Sequence, residues 1–412
     1  MALSGLRPMS KKTDVTHDRL TQRSAADAPA QASGTAASRL LSATNIWSSA
    51  PEPPIAEAPV PKPPPAREEI AQPTQPAPRP APAPTKADKR SASTDWPPRK
   101  LSLALQGGGT FAAFTWGVLE RLLEEPGIEF DTISGASAGA INALLLACGL
   151  AEGGREGARA RLDRFWVRLM HEASFRSLML VGGFSPAGSS VAFGPTLRSG
   201  QFDPFDLDPL RRALSRDINF AALQAKACPK LLIAATRIRD GHQQVFSNDA
   251  ITADVALAST CPPLVHCAIE IEGEAHWDGG YGGNPPLVRL VQESRTSDVL
   301  VVQVTPSRDS YVPITLAAID RRLDQIAANA TLNAEIAAVE WARAGSVPAL
   351  RLFRIAAEDE IEGLAQRSAT DLGRGFIRLL HRNGRAAAER WLRQETRSEP
   401  SVQRTPAEPA LV

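Results

Sequence analysis

Asp131-Thr-Ile-Ser-Gly135-Ala-Ser137-Ala-Gly139 is the stretch on which the reading of this chain turns. An apolar, strand-like run leads into it, and an alanine-rich helical run, Ala138–Leu150, leads out. In that strand–turn–helix context Gly135-x-Ser137-x-Gly139 reads as a nucleophile elbow. The serine sits on a strained turn, and glycines two residues to either side leave room where the backbone crosses itself. Its hydroxyl is then presented at the positive end of the following helix. About one βα unit upstream stands Leu101-Ser-Leu-Ala-Leu-Gln-Gly107-Gly108-Gly109. A triple glycine after a strand offers bare backbone N–H groups to a developing oxyanion. Together the two segments imply a serine hydrolase with Ser137 as nucleophile and an oxyanion hole at Gly107, Gly108 and Gly109.

Outward from the elbow, strand-like and helical runs alternate. Leu101–Gln106, Phe130–Ser134, Lys230–Arg239, Gln243–Ser247, Ala268–Trp277, Asp298–Thr305 and Ala349–Ile355 read as strands. Ala112–Glu124, Ala138–Leu150, Ala158–Glu172, Thr252–Ser259, Ile314–Ala344 and Asp371–Gln394 read as helices, with Gly153-Gly154 breaking the chain between the second and third. Asp240-Gly241 is a hairpin signal. The alternation predicts an α/β domain: a mostly parallel central sheet with helices on both faces. Ala173–Asp208 reads as a long loop, a candidate lid or acyl-pocket wall weighed evenly against an ordinary surface excursion.

Composition bounds the rest. The chain has 412 residues, and its first hundred lack hydrophobic periodicity. From Pro51 to Pro98 they become a proline/alanine tract that cannot offset its ordering entropy. The expected organisation is a disordered arm over 1–98, a hydrolase domain over 99–396 and a disordered tail over 397–412. The arm is a candidate docking site for a protein partner. Lys and Arg number 46 against 45 Asp and Glu, a net charge of +1, so no charge excess points to nucleic acid. No apolar signal core opens the chain and no apolar run is long enough to span a bilayer, so the expectation is cytoplasmic, with Met9 an alternative start. The four cysteines read as small buried thiols in a reduced compartment. With scattered histidines and no zinc-like cysteine spacing, neither metal nor cofactor is expected.

A base for Ser137 is sought in His276-Trp-Asp278-Gly279-Gly280-Tyr-Gly-Gly-Asn284-Pro-Pro286. A carboxylate opening a glycine run can be approached closely by another element, although Asp-Gly is also a common turn dipeptide. His266, His276 and His381 follow the elbow and are the alternatives for a Ser-His-Asp triad. Only His381 fits the order serine, acid, histidine. Solvent-facing or core-satisfied roles are the favoured reading for all three.

Four segments in this order and spacing, Gln106–Gly109, Gly135–Gly139, Ala258-Ser-Thr-Cys-Pro-Pro263 and Asp278–Gly280 with Asn284-Pro285, resemble the patatin-like phospholipases of bacterial type. The resemblance covers roughly 99–286 well and the remainder weakly. It implies a three-layer α/β/α fold, a lipid ester substrate, and catalysis by a serine–aspartate dyad without histidine. Ser137 would then be acylated, Asp278 would be the direct general base, and amides around Gly108 and Gly109 would bind the oxyanion. Asn284 is assigned a supporting role, holding the Asp278 loop. Thr110-Phe111-Ala112 replaces the basic residue and glycine that usually follow the triple glycine, which implies a lost cation near the site and a neutral or long-chain ester as an alternative to an anionic phospholipid.

Two rivals remain at this stage. Gly107-x-Gly109-x-x-Ala112 fits a loose dinucleotide fingerprint, but that reading needs an acidic residue at the end of the second strand, where this chain has the elbow. The other is a catalytically idle scaffold acting through the proline-rich arm; retention of Ser137 and Asp278 argues against it. In the last helix, core packing by Phe376, Leu379 and Leu380 with a solvated face of Arg374, Arg378, Arg382 and Arg385 is favoured over docking at a membrane or lipid-granule surface.

Overall fold

The structure, a computed structural model, describes residues 96–172, 208–261, 268–345 and 350–393. Its strands are β1 (Lys100–Leu105), β2 (Glu129–Gly135), β3 (Lys230–Arg237), β4 (Gln243–Ser247), β5 (Ile269–Ile271), β6 (Glu274–Asp278), β7 (Asp298–Gln303) and β8 (Arg351–Ala356). They form one sheet in the order β5-β6-β3-β2-β1-β7-β8, with β4 paired to β3. Strands β3, β2, β1, β7 and β8 run parallel, while β4, β5 and β6 are antiparallel to their neighbours. The mostly parallel sheet expected from the alternation is present.

Seven α-helices are described: α1 (Ala113–Leu123), α2 (Ala138–His171), α3 (Asp208–Asp217), α4 (Ala253–Ser259), α5 (Leu287–Glu293), α6 (Leu316–Gly345) and α7 (Arg374–Arg393). Successive side chains of a strand point to opposite faces, and that alternation divides the core in two. Leu101, Leu103 and Leu105 of β1, with Leu300 and Val302 of β7, pack among residues of α1, α2 and α7. The intervening Ala104, Val299 and Val301 pack against Leu287 and Leu290 of α5 and Leu332 and Val339 of α6. Helices therefore cover both faces, giving three layers. Helices α1 and α7 meet closely: a Cβ on Gly117 would stand 2.0 Å from the His381 carbonyl oxygen.

The break expected at Gly153-Gly154 is present within α2, where both glycines leave helical geometry and Gly154 sits at φ +60°. Two local differences from the sequence reading have physical reasons. Helices α3 and α5 were not anticipated. The seven-residue α5 follows Pro285-Pro286 directly and is too short to show a period, and α3 is dominated by charged residues. Trp96 lies inside the folded body rather than in the arm: its indole donates to the Leu392 carbonyl at 3.0 Å and its ring packs edge-on against Phe353 and Trp391. The arm, the C-terminal tail and the Ala173–Asp208 loop otherwise fall outside the described residues, apart from Asp208 at the start of α3.

The pairing of β3 positions the site. Ala235 and Thr236 pair with β4 and also with β6, so those two strands occupy opposite edges of β3. Leu232 and Ile233 pair with β4 and with β2, so β2 and β6 share the remaining edge. They run in opposite directions along it and meet end to end. The last β2 pair is Gly135 with Ile233, and the last β6 residue, Asp278, pairs with Ala235.

Candidate active site

Ser137 stands between the end of β2 and the start of α2 with φ 54° and ψ −132°. A serine held there carries strain of about 1–3 kcal/mol. The turn is held by Ser259 at the end of α4, whose carbonyl oxygen and Oγ both accept from the Ser137 N–H at 3.1 Å. This is the described part of the Ala258–Pro263 motif; Pro262 and Pro263 lie outside the described residues. The elbow glycines serve close approach: a Cβ on Gly139 would stand 2.2 Å from the Leu105 carbonyl oxygen, and one on Gly135 2.7 Å from that of Gly139.

Asp278 ends β6 and is almost fully buried. Its backbone is clamped on both sides: its N–H donates to the Cys261 carbonyl at 2.9 Å, and its carbonyl accepts from the Thr236 hydroxyl at 2.8 Å. One carboxylate oxygen accepts the Gly280 N–H at 2.7 Å, and the other accepts the Ser137 hydroxyl at 2.8 Å. Burial pushes the Asp278 carboxyl up to about 7, outweighing the opposing hydrogen bonds from Gly280 and Ser137. A serine hydroxyl is thereby bonded to a carboxylate whose basicity is raised toward neutrality.

The glycine loop follows β1 beside the elbow; a Cβ on Gly107 would stand 2.6 Å from that of Ser137. Asn284 holds the loop by its amide, accepting the Gly107 N–H at 2.6 Å and donating to the Gly107 carbonyl at 3.4 Å. Asn284 thus ties the Asp278 loop to the glycine loop, a link 177 positions apart in sequence. The same bond corrects the expectation for Gly107. Its N–H is already donated to Asn284 and cannot serve an oxyanion. The Gly108 and Gly109 N–H groups have no acceptor among the described residues, and Gly109 adopts φ 55°, which glycine takes without penalty.

These groups open onto a cavity of about 320 Å³ whose far wall is formed by α6, with Ala317, Asp320, Arg321 and Asp324. Phe111 also lines it and packs edge-on against Phe376 at 6.1 Å. Thr110-Phe111-Ala112 brings no cation after Gly109, as expected, but the cavity has cations from elsewhere. Arg321 and Arg367 line the cavity from other elements, Arg321 donating to the Ala365 carbonyl and Arg367 lying 4.4 Å from the centre of the Phe376 ring. Burial and the neighbouring Asp320 charge push Asp324 up to about 7. Neither the cavity-lining residues of α6 nor Arg367 were singled out by the sequence. The helical period shows which α6 positions share a face, but not what that face confronts.

The histidines stand apart from the pair. His276 is buried with its ring nitrogens on the Glu274 carbonyl at 2.8 Å and Gln244 Oε1 at 2.9 Å. His381 bonds to Glu120 across the α1–α7 contact. His266 lies outside the described residues. For the dinucleotide rival, Asp131 is at the wrong end of β2 and is engaged by the Arg295 backbone N–H at 2.7 Å and Nε at 3.0 Å. In α7, Phe376, Ile377 and Leu380 are buried, and Arg385 is drawn into pairs with Glu120 and Glu124.

Residues 103–291 match the family described as patatin-like phospholipase. The chain carries a patatin-like phospholipase domain. Among solved structures the chain is similar to VipD from Legionella pneumophila, at 15% identity over 71% of this chain and 66% of that one, with a TM-score of 0.34. It is also similar to full-length ExoU from the type III secretion system of Pseudomonas aeruginosa, at 17% identity over 72% of this chain and 53% of that one, with a TM-score of 0.31. The chain therefore spans just under two thirds of the first and about half of the second. No curated protein matches it. Among the described residues no helix is long and apolar enough to cross a membrane.

Proposed function

We propose that this patatin-like domain is a serine lipid acyl hydrolase that cleaves carboxylic esters through an acyl-enzyme. The observation that carries the reading is the 2.8 Å hydrogen bond from Ser137 to a buried Asp278. In the proposed cycle Asp278 takes the hydroxyl proton as Ser137 Oγ attacks the ester carbonyl. The Gly108 and Gly109 N–H groups receive the tetrahedral oxyanion, each donor contributing about 3–4 kcal/mol in other hydrolases. Collapse expels the alcohol, which takes the proton from Asp278, and leaves an ester on Ser137. Water then attacks that ester, giving its proton to the same carboxylate; as the C–Oγ bond breaks and the acid leaves, Ser137 Oγ takes that proton back from Asp278.

A carboxylate at the ordinary aspartate value of 3.8 is a weak base for a serine. The burial that raises Asp278 to about 7 is what makes a dyad without histidine chemically reasonable. The cavity chemistry, with Phe111 and α6 alanines beside Arg321 and Arg367, suits an ester that carries both an acyl chain and a polar head. A fluorophosphonate probe tests the assignment. The wild-type chain should be labelled at Ser137 and Ser137→Ala should not. Undiminished labelling of Ser137→Ala would move the nucleophile elsewhere.

A further inference from the structure

Helix α6 presents two different faces at its N-terminal end. One lines the catalytic cavity through Ala317, Asp320, Arg321 and Asp324. Beside it Leu316, Ile319, Leu323 and Ile326 are exposed, spaced three, four and three residues apart and so aligned along the helix. The segment leading into α6 continues the same character: Tyr311, Val312 and Ile314 are exposed, the last two to 86% and 89%. Most of the exposed large apolar side chains of the described residues fall in this one stretch, Tyr311–Ile326. The charged residues of that part of α6, Asp320, Arg321, Arg322 and Asp324, are half-buried instead. A contiguous exposed apolar surface of this kind marks an interaction site.

We infer that Tyr311–Ile326 is the surface by which the protein docks on a lipid aggregate, so that substrate enters the cavity directly from it. The inference rests on the lipid-hydrolase reading above. Continuity with the cavity selects the occupant. Ala317 is solvent-exposed and lines the cavity, so the cavity rim runs along the first turn of α6, next to Leu316. An acyl chain passing from an aggregate over this rim stays in contact with apolar side chains throughout. A second copy of the chain seated on the same residues would lie across the rim and obstruct entry. The protruding Val312 and Ile314 are suited to insertion among lipid head groups, where apolar side chains add binding in proportion to the area they bury.

The test uses the full chain and vesicles of phosphatidylcholine alone, so that binding does not depend on net lipid charge. Binding is measured by co-sedimentation in the Ser137→Ala background, where the vesicles stay intact. Ile314→Asp combined with Leu323→Asp should weaken binding about tenfold or more, and the wild-type binding should persist at high salt because it is apolar. With Ser137 present, the same double variant should turn over a monomeric short-chain ester at the wild-type rate and lose activity only on vesicles. Separately, Val312→Trp should show a blue shift of its emission when vesicles are added. Unchanged vesicle binding by the double variant, or equal loss on both substrates, overturns the proposal. So does a Val312→Trp emission that is already blue-shifted without lipid, which would mean that a second copy or another segment of the chain covers the face. A chain that binds vesicles but hydrolyses no ester would instead refute the catalytic reading and leave the docking surface standing.

Discussion

Replacing Asp278 with asparagine separates the two consequences of burying a carboxylate beside Ser137. The variant keeps the shape and an acceptor for the Gly280 N–H, but it cannot take a proton. Acylation by a fluorophosphonate or an ester should therefore slow by about 10²- to 10⁴-fold. Stability should move the other way. In the unfolded chain Asp278 ionises near 3.8, and in the folded chain near 7. Between these values the folded state binds the extra proton, so stability falls as pH rises and the loss is complete above about pH 7. The displacement corresponds to about 4 kcal/mol in all. From pH 5 to pH 8 the part still to be lost is about 2–3 kcal/mol. Asp278→Asn lacks this slope. Urea denaturation of both proteins at pH 5 and pH 8 should show the advantage of the variant growing by that amount. A difference that does not change with pH, or changes in the opposite sense, would refute the claim that burial raises this carboxyl.

The base must be ionised to act, so kcat/KM on a soluble ester should rise about tenfold per pH unit below pH 7 and level off above it; a flat profile between pH 5 and 8 would contradict the assignment. Asn284→Ala leaves the buried Gly107 N–H without its acceptor and should cost about 1–3 kcal/mol in denaturant unfolding, with Asn284→Asp recovering part of that loss. Gly139→Ala drives a methyl group against the Leu105 carbonyl oxygen and should cost about 3 kcal/mol or more. Gly127→Ala, where nothing lies within 4 Å, should stay within about 0.5 kcal/mol of wild type. Ser137→Gly should be about 1 kcal/mol more stable than Ser137→Ala at the same denaturant midpoint comparison, because glycine tolerates φ 54°.

Legibility in the sequence followed the range of the interactions. The strands and most helices were readable because period and turn residues are local, as with Asp240-Gly241 between β3 and β4. The elbow was readable for the same reason: Gly135, Ser137 and Gly139 carry their geometry within one turn. Asp278 stood out only as a carboxylate before glycines, and its role came from a resemblance of ordered motifs. Its proximity to Ser137 depends on which edge of β3 accepts β6, and no local pattern encodes that choice. The loss of Gly107 as a donor was likewise invisible, since it requires knowing which atoms Asn284 reaches. The arginines of the cavity wall, Arg321 and Arg367, come from elements that sequence order places far from the elbow.

The end-to-end meeting of β2 and β6 on one edge of β3 makes that strand a gauge block for the chemistry. Ser137 and Asp278 are separated by 141 positions, yet the length of chain joining them does not enter their spacing. A residue removed from β3 between Ile233 and Ala235 would draw the carboxylate about 3.3 Å along the strand and turn its neighbours to the opposite face. Loops elsewhere in the span can lengthen or shorten without touching that dimension, because the pairing with β3 sets it.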